Sequence, residues 1–171
     1  MTLKYFTSVV LPLKDKLFRY AKSILNQEDL AKDVVQETLL KVWEKREEAD
    51  TIHNMEAWCM TLARNFALSK FRLKDNQHSK LEFGADIAEP SYNPYQAMEK
   101  EDTMEKIDQI VSRLPFKFKE IFQLRDIEGY RYDEISEITG YALSDVKVSL
   151  FRARKIIREN LKKIYAYEKF E

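Results

Sequence analysis

Glycine occurs three times and proline four times in 171 residues. Turn signals and helix breakers are therefore scarce, which argues against an all-β chain and favours helix throughout. The single cysteine, Cys59, excludes an internal disulfide and fits a reducing compartment. The two histidines, His53 and His78, stand in polar stretches. With one cysteine they make no metal-ligating cluster, so no metal is expected. A glycine-rich phosphate loop and a nucleophile–base pairing are also missing, so neither a catalytic residue, nor a cofactor, nor an enzymatic role is expected. No long apolar run occurs in the first twenty residues, which carry Lys4, Lys14, Lys16 and Arg19. Neither a signal peptide nor a membrane span is predicted, and the expected location is the cytoplasm.

What is present is hydrophobic content of 44% and charged content of 34%, with a formal net charge of zero. A core can be buried, but the zero hides a pattern. Residues 1–80 carry 14 Lys/Arg against 11 Asp/Glu, and residues 113–171 carry 13 against 10. Between them, residues 81–112 carry 2 against 8. The stretch 144–163 alone carries 7 against 2. An acidic segment thus separates two mildly basic ones, and binding to a polyanion depends on the local field rather than the total.

The periodicity predicts helix over about Leu3 to Lys74 in three stretches. Pro12 starts or kinks the first, since proline suits a first helical turn. Asn26 to Asp29 is a break, a second helix spans about Asp29–Glu47, and a third spans about Met55–Leu73. Residues 75–98, with Gly84, Pro90 and Pro94, lose periodicity and read as a linker. Helicity resumes near Met98. After Leu114-Pro115 a helix spans about Phe116–Ile127, and two more follow at about 131–139 and 144–164.

The last two form a helix-turn-helix pattern. Ile135 and Ile138 supply the apolar face of the short helix, Gly140 permits a left-handed turn, and Ser144 suits the cap of the next helix. On that helix Val146, Leu150, Ala153, Ile157 and Leu161 form a core stripe. The opposite face holds Lys147, Val148, Phe151, Arg152, Lys155 and Arg158. A purely solvated face has no use for Val148 and Phe151, whereas a DNA-reading face can set them against thymine methyls, with Lys147 and Arg152 on bases or phosphates. The alternative is an ordinary amphipathic helix with a basic surface.

The second helix is predicted to bury Ala31, Val35, Thr38, Leu39 and Val42. Asp33, Gln36, Glu37, Leu40 and Glu44 share its other face. An exposed leucine among acidic and amide groups suits protein docking. Taken alone, the face reads more simply as solvated charge with one stray leucine. On the third helix Thr61, Arg64, Asn65, Leu68 and Arg72 share an arc, suited to a nucleic-acid backbone or to a soluble surface. Trp58, Leu62 and Phe66 are expected to face the core.

These motifs together resemble a known family. Asp33-Val34-Val35-Gln36-Glu37-Thr38, then Trp58 with Ala63-Arg64-Asn65, resemble region 2 of bacterial RNA polymerase sigma factors. Leu114-Pro115, Leu124-Arg125, Glu128-Gly129-Tyr130, Asp133-Glu134-Ile135, then Val146-Lys147 and Phe151-Arg152-Ala153-Arg154, resemble region 4. Regions 1 and 3 have no counterpart, as in the extracytoplasmic-function group. The resemblance implies an all-α fold of two small helical domains joined by a linker, the C-terminal one containing a helix-turn-helix. Their spans are 1–74, the linker 75–98, and 99–171. It implies core RNA polymerase and promoter DNA as partners, and an anti-sigma factor as a third. Asp33, Gln36, Glu37 and Leu40 are assigned to polymerase, and Arg64, Asn65 and Arg72 to the −10 element, with the loop Arg46 to Glu56 near its non-template strand. Arg125, Lys147, Val148, Phe151, Arg152 and Lys155 are assigned to the −35 element. Asp145 and Val148 depart from the Thr and Ser frequent there. Ser149 replaces a frequent basic residue, which is expected to weaken the grip on DNA.

A plain helix-turn-helix regulator with a helical sensor domain is the competing reading. It accounts for residues 113–164 but leaves Asp33, Gln36, Glu37, Arg64 and Asn65 without a role.

Overall fold

A computed structural model describes residues 1–75 and 103–168, and no strand occurs among the described residues. The chain opens with α1 (Leu3–Tyr5), a π-turn over Phe6–Val10 and a 3-10 turn over Leu11–Leu13. The helices α2 (Lys14–Leu25), α3 (Glu28–Glu44) and α4 (Met55–Asp75) follow. After the undescribed stretch come α5 (Thr103–Ser112), α6 (Phe116–Phe122, prolonged by a π-turn through Ile127), α7 (Tyr132–Thr139) and α8 (Leu143–Glu168).

Local chemistry sets the boundaries. Pro12 sits in the 3-10 turn that leads into α2, where its missing N–H costs no helical bond. Asn26 closes α2 in the left-handed region at φ 52°, its N–H bonding the Lys22 carbonyl at 2.9 Å. Gly140 closes α7 at φ 75° in the same way, bonding the Ser136 carbonyl at 2.9 Å. A Cβ at Gly140 would meet nothing within 4 Å, so backbone conformation rather than crowding selects glycine. Ser144 lies inside the first turn of α8 rather than capping it; the first backbone bond there runs from Val146 N–H to the Ala142 carbonyl.

Helices α2, α3 and α4 pack on one another around buried Leu17, Tyr20, Ile24, Val34, Val42 and Met60. Ala57, Ala63 and Ala67 line the inner face of α4, and such small side chains let helices approach closely. Helix α8 packs against α5, α6 and α7 around Ile121, Leu124, Ile135, Ile138, Val146, Leu150 and Ala153. Each fully buried aliphatic side chain stabilises its group by about 1.5–3 kcal/mol. The two groups also touch: α4 packs on α7, and α2 on α6.

Three sequence expectations shift. Ala31, Thr38 and Val42 are buried as expected, but Val34 joins them fully buried while Val35 and Leu39 lie at the edge of the stripe. Trp58, Leu62 and Phe66 are half-buried and pack against the core from its edge, while the inward positions of α4 belong to Ala57, Met60 and Ala63. Asp75, expected to open the linker at 75–98, still belongs to α4; the rest of that stretch, like the helix start expected near Met98, lies outside the described residues.

Candidate nucleic-acid interface

Helices α7 and α8 join through the left-handed Gly140. The capping Glu134 carboxylate accepts from the Arg131 backbone N–H at 2.8 Å and fixes the start of α7. Val146, Leu150, Ala153 and Ile157 are buried, which turns the opposite face of α8 outward. Lys147, Val148, Phe151, Arg152 and Lys155 all lie on that exposed face. Phe151 is 70% exposed and Val148 48%. A free phenyl ring beside two cations is poorly suited to water alone and well suited to a base edge. Lys155 spends part of its charge on Glu159, one turn along, at 3.9 Å.

Neighbouring groups modify this face. Asp145 is paired with Lys117 at 3.0 Å, so its repulsion of a phosphate is partly neutralised. Ser149, expected to weaken the grip on DNA, is buried. Arg125 is only half-exposed. Its guanidinium donates to the Tyr130 carbonyl at 2.8 Å and lies 5.0 Å from the centre of the Tyr132 ring. Arg154 is held on the Asp126 carboxylate, Nε to Oδ2 2.9 Å, and acts as a brace between α8 and the π-turn after α6.

On α3, Asp33, Gln36 and Leu40 point outward as expected, Leu40 being 62% exposed. Glu37 is half-buried and accepts from Lys70 of α4 at 2.6 Å. Sequence reasoning missed an apolar groove beside them. Leu3, Phe6, Leu39 and Trp43 line it together with Gln36 and Leu40. Phe6 meets Trp43 edge to face at 5.3 Å. The available signal was the apolar character of Leu3 and Phe6, whose approach to α3 no local periodicity reveals.

On α4 the expected arc is only partly open. Asn65 and Arg72 are exposed, Leu68 is buried, and Arg64 is half-buried in an ion pair. The Arg64 guanidinium donates to both oxygens of Glu120, at 2.7 and 3.2 Å. It also reaches the Tyr141 hydroxyl at 3.3 Å. Burial disfavours the charge on Arg64, but the hydrogen bonds and charge of Glu120 outweigh it and hold the guanidinium protonated. The same carboxylate accepts from the fully buried Tyr20 hydroxyl at 2.7 Å. Burial first, and then the nearby Glu120 charge, push the Tyr20 phenol well above its usual range.

Three further contacts bridge the two helical groups. Arg19 clasps Glu128 with donor distances of 3.0 and 2.7 Å, and the Glu128 side chain is fully buried. The Tyr130 hydroxyl donates to Glu56 at 2.7 Å, and Lys16 reaches the same oxygen at 2.7 Å. Burial raises the Glu56 carboxyl, but the bonds from Lys16 and Tyr130 leave it below the usual carboxylate range. Asn54 Nδ2 donates to Glu134 at 3.3 Å. Each of these pairs joins positions far apart in the chain, which is why none was visible in the sequence.

Comparison with known proteins matches both ends of this arrangement. The Sigma-70 region 2 family model covers residues 9–77 and the Sigma-70 region 4 model covers residues 104–157. RNA polymerase sigma factor SigV of Bacillus subtilis is 30% identical over 156 residues, 88% of this chain and 87% of that protein. The ferric citrate uptake sigma factor FecI of Escherichia coli is 28% identical, over 82% of this chain and 79% of its own. Among solved structures, the sigma factor RpoE of Bartonella quintana in complex with the anti-sigma factor NepR aligns with a TM-score of 0.72 and 26% identity. That alignment covers 94% of this chain and 98% of RpoE. CnrH, in complex with the cytosolic domain of CnrY, shares the fold at a TM-score of 0.68 and 18% identity, over 95% of this chain and 90% of its own.

Proposed function

Since this chain belongs to the sigma-70 family, in its extracytoplasmic-function group, we propose that it reads the −35 element with α8 and opens the −10 element with α4. The family role is promoter-specific initiation of transcription with RNA polymerase. The observation that carries the finer reading is the outward face of α8. Its exposed Lys147, Val148, Phe151 and Arg152 stand opposite a continuous core stripe on a helix braced by α7. In a helix-turn-helix that face enters the major groove, where arginine donates two bonds to guanine and apolar groups meet the thymine methyl.

The remaining assignments follow the same logic. The exposed Asp33, Gln36 and Leu40, with the Leu3–Phe6–Trp43 groove beside them, form a mixed polar and apolar surface suited to a helical partner, and we assign it to core polymerase. Asn65 and Arg72 on α4 are assigned to the non-template strand, with Arg64 joining them once released from Glu120. We place the first functional unit at 1–74, the linker at 75–98 and the second unit at 99–171. An anti-sigma factor is the expected regulator, because RpoE was solved in complex with the anti-sigma factor NepR. The proposed role is regulatory rather than catalytic. No described helix is long and apolar enough to cross a membrane.

The test is reconstitution with core polymerase, followed by run-off transcription on genomic fragments and sequencing of the products. The reading expects transcripts that start at a common upstream pair of elements. Starts indistinguishable from those of core polymerase alone refute it.

A further inference from the structure

We infer that Asp145 is a specificity residue of α8, whose carboxylate accepts a hydrogen bond from the exocyclic amine of a cytosine in the −35 element while Lys117 holds it in place. The inference rests on the reading of that element by α8, and the observations behind it are local. Asp145 lies in the first turn of α8, and the start of a recognition helix is the part that meets base edges. Its spacing from Val148 and Arg152, three and then four residues, sets the three side chains in one row along the helix. All three are exposed, Asp145 with 57% of its side chain open. A carboxylate therefore heads the same row that offers an apolar group and a guanidinium to the major groove.

A bare carboxylate there would be repelled by the phosphates on either side of the groove. Lys117, on α6, counters this by donating to Oδ2 at 3.0 Å. The ammonium is itself seated 4.7 Å from the centre of the Tyr141 ring. Tyr141 follows Gly140 in the turn between α7 and α8, and its carbonyl accepts from the Ser136 hydroxyl at 2.6 Å. The turn thus fixes the ring, the ring the ammonium, and the ammonium the carboxylate. Stabilising the helix dipole would need a carboxylate in this turn but no cation from another helix. The pair carries no net charge, and Oδ1 takes no hydrogen bond from any described residue. An acceptor so held discriminates among the bases. Guanine and thymine show it only acceptors. Adenine places its N6 amine between two acceptors, its own N7 and the thymine O4, which repel a carboxylate on both sides. Cytosine places its N4 amine at the edge of the pair, so an approach from that side meets no acceptor.

The experiment uses the full chain reconstituted with core polymerase. The template is a promoter recovered by genomic run-off, with its upstream element randomised and linked to a transcribed barcode. Sequencing the transcripts gives the base preference at each position, after circular dichroism shows equal helix content in all variants. The parent should prefer cytosine at one position, and Asp145→Ala should lower that preference about fivefold, the low end for a base contact, without changing the other positions. Asp145→Asn should move the preference there toward adenine, because an amide pairs with N6 and N7 together. Lys117→Gln should weaken the same cytosine preference, and Lys117→Arg should restore it. No cytosine preference in the parent, or one that survives in Asp145→Ala, overturns the inference. A loss spread evenly over all positions in Asp145→Ala does so too, since that is the mark of a helix or phosphate effect. An even loss in Lys117→Gln overturns its positioning role and makes it a phosphate contact. Arg152→Ala in the same library separates the premises. A changed preference at another position leaves the reading by α8 standing whatever becomes of Asp145, and unchanged preferences throughout refute that reading.

Discussion

Leu40 offers a measurable test of the polymerase surface. It is 62% exposed on a helix whose inner face is already filled by Ala31, Val34, Thr38 and Val42. Nothing in the free protein requires a leucine there. Truncation to alanine removes about three carbon groups, worth ~0.8 kcal/mol each when fully buried. About two-thirds of that side chain is still open to water in the free chain, so docking gains roughly 1.5 kcal/mol from covering it. Leu40→Ala should therefore weaken binding to core polymerase about tenfold. Folding should be unaffected or slightly favoured, because alanine is the better helix former by a few tenths of a kcal/mol. Competition against a labelled parent protein for core polymerase, read by anisotropy, measures the first quantity, and a thermal melt the second. A change in affinity below twofold, with an intact melt, removes Leu40 from the interface. A melting point several degrees lower shows instead that the side chain packs within the protein.

Three other outcomes are expected. Arg152→Ala should lower promoter-specific run-off transcription about tenfold, since a bidentate guanine contact is worth roughly 1–3 kcal/mol, and should leave helix content unchanged because the side chain is exposed. Gly140→Ala should cost about 1–2 kcal/mol in denaturant unfolding through its left-handed backbone at φ 75° alone, as the added methyl meets no neighbour, and Gly140→Asn should cost less. The Glu56 carboxyl titrates below its unfolded value, so its contribution is present above the unfolded pKa and is lost as pH falls through the lower folded one. A stability-against-pH curve should accordingly be flatter on its acid side in Glu56→Gln than in the parent, and identical acid limbs would show that Glu56 is not stabilised by Lys16 and Tyr130.

The helices were legible because their signals are local. Spacing of four, three, four and four along Val146, Leu150, Ala153, Ile157 and Leu161 predicts one buried stripe, and the structure buries the first four and leaves Leu161 partly buried. The same arithmetic correctly turned Lys147, Phe151 and Arg152 outward. Where it slipped, the stripe was ambiguous: on α3 both Val34 and Val35 are apolar, and only packing against α2 and α4 chooses Val34. The arc on α4 failed for a different reason. Arg64 lies at a position that an isolated helix would expose, and its partner Glu120 is 56 residues away on α6. A buried glutamate has no sequence signature, since glutamate is ordinarily a surface residue. Such pairs appear only when the chain is folded.

The zero net charge of the chain is resolved by which charges find internal partners. Glu120 and Glu128 are spent on Arg64 and Arg19, Asp126 on Arg154, and Asp145 on Lys117. No ion-pair partner stands beside Lys147 or Arg152 among the described residues, so the outer face of α8 keeps its positive field although the total is neutral. Salt should then act unequally on the two faces proposed to meet DNA. Exposed cations on α8 lose affinity steeply with ionic strength, by a slope near 0.9 per phosphate neutralised. The Glu120 pair is buried and is screened little. Raising salt should thus weaken duplex binding by the α8 face long before it disturbs the Arg64–Glu120 pair.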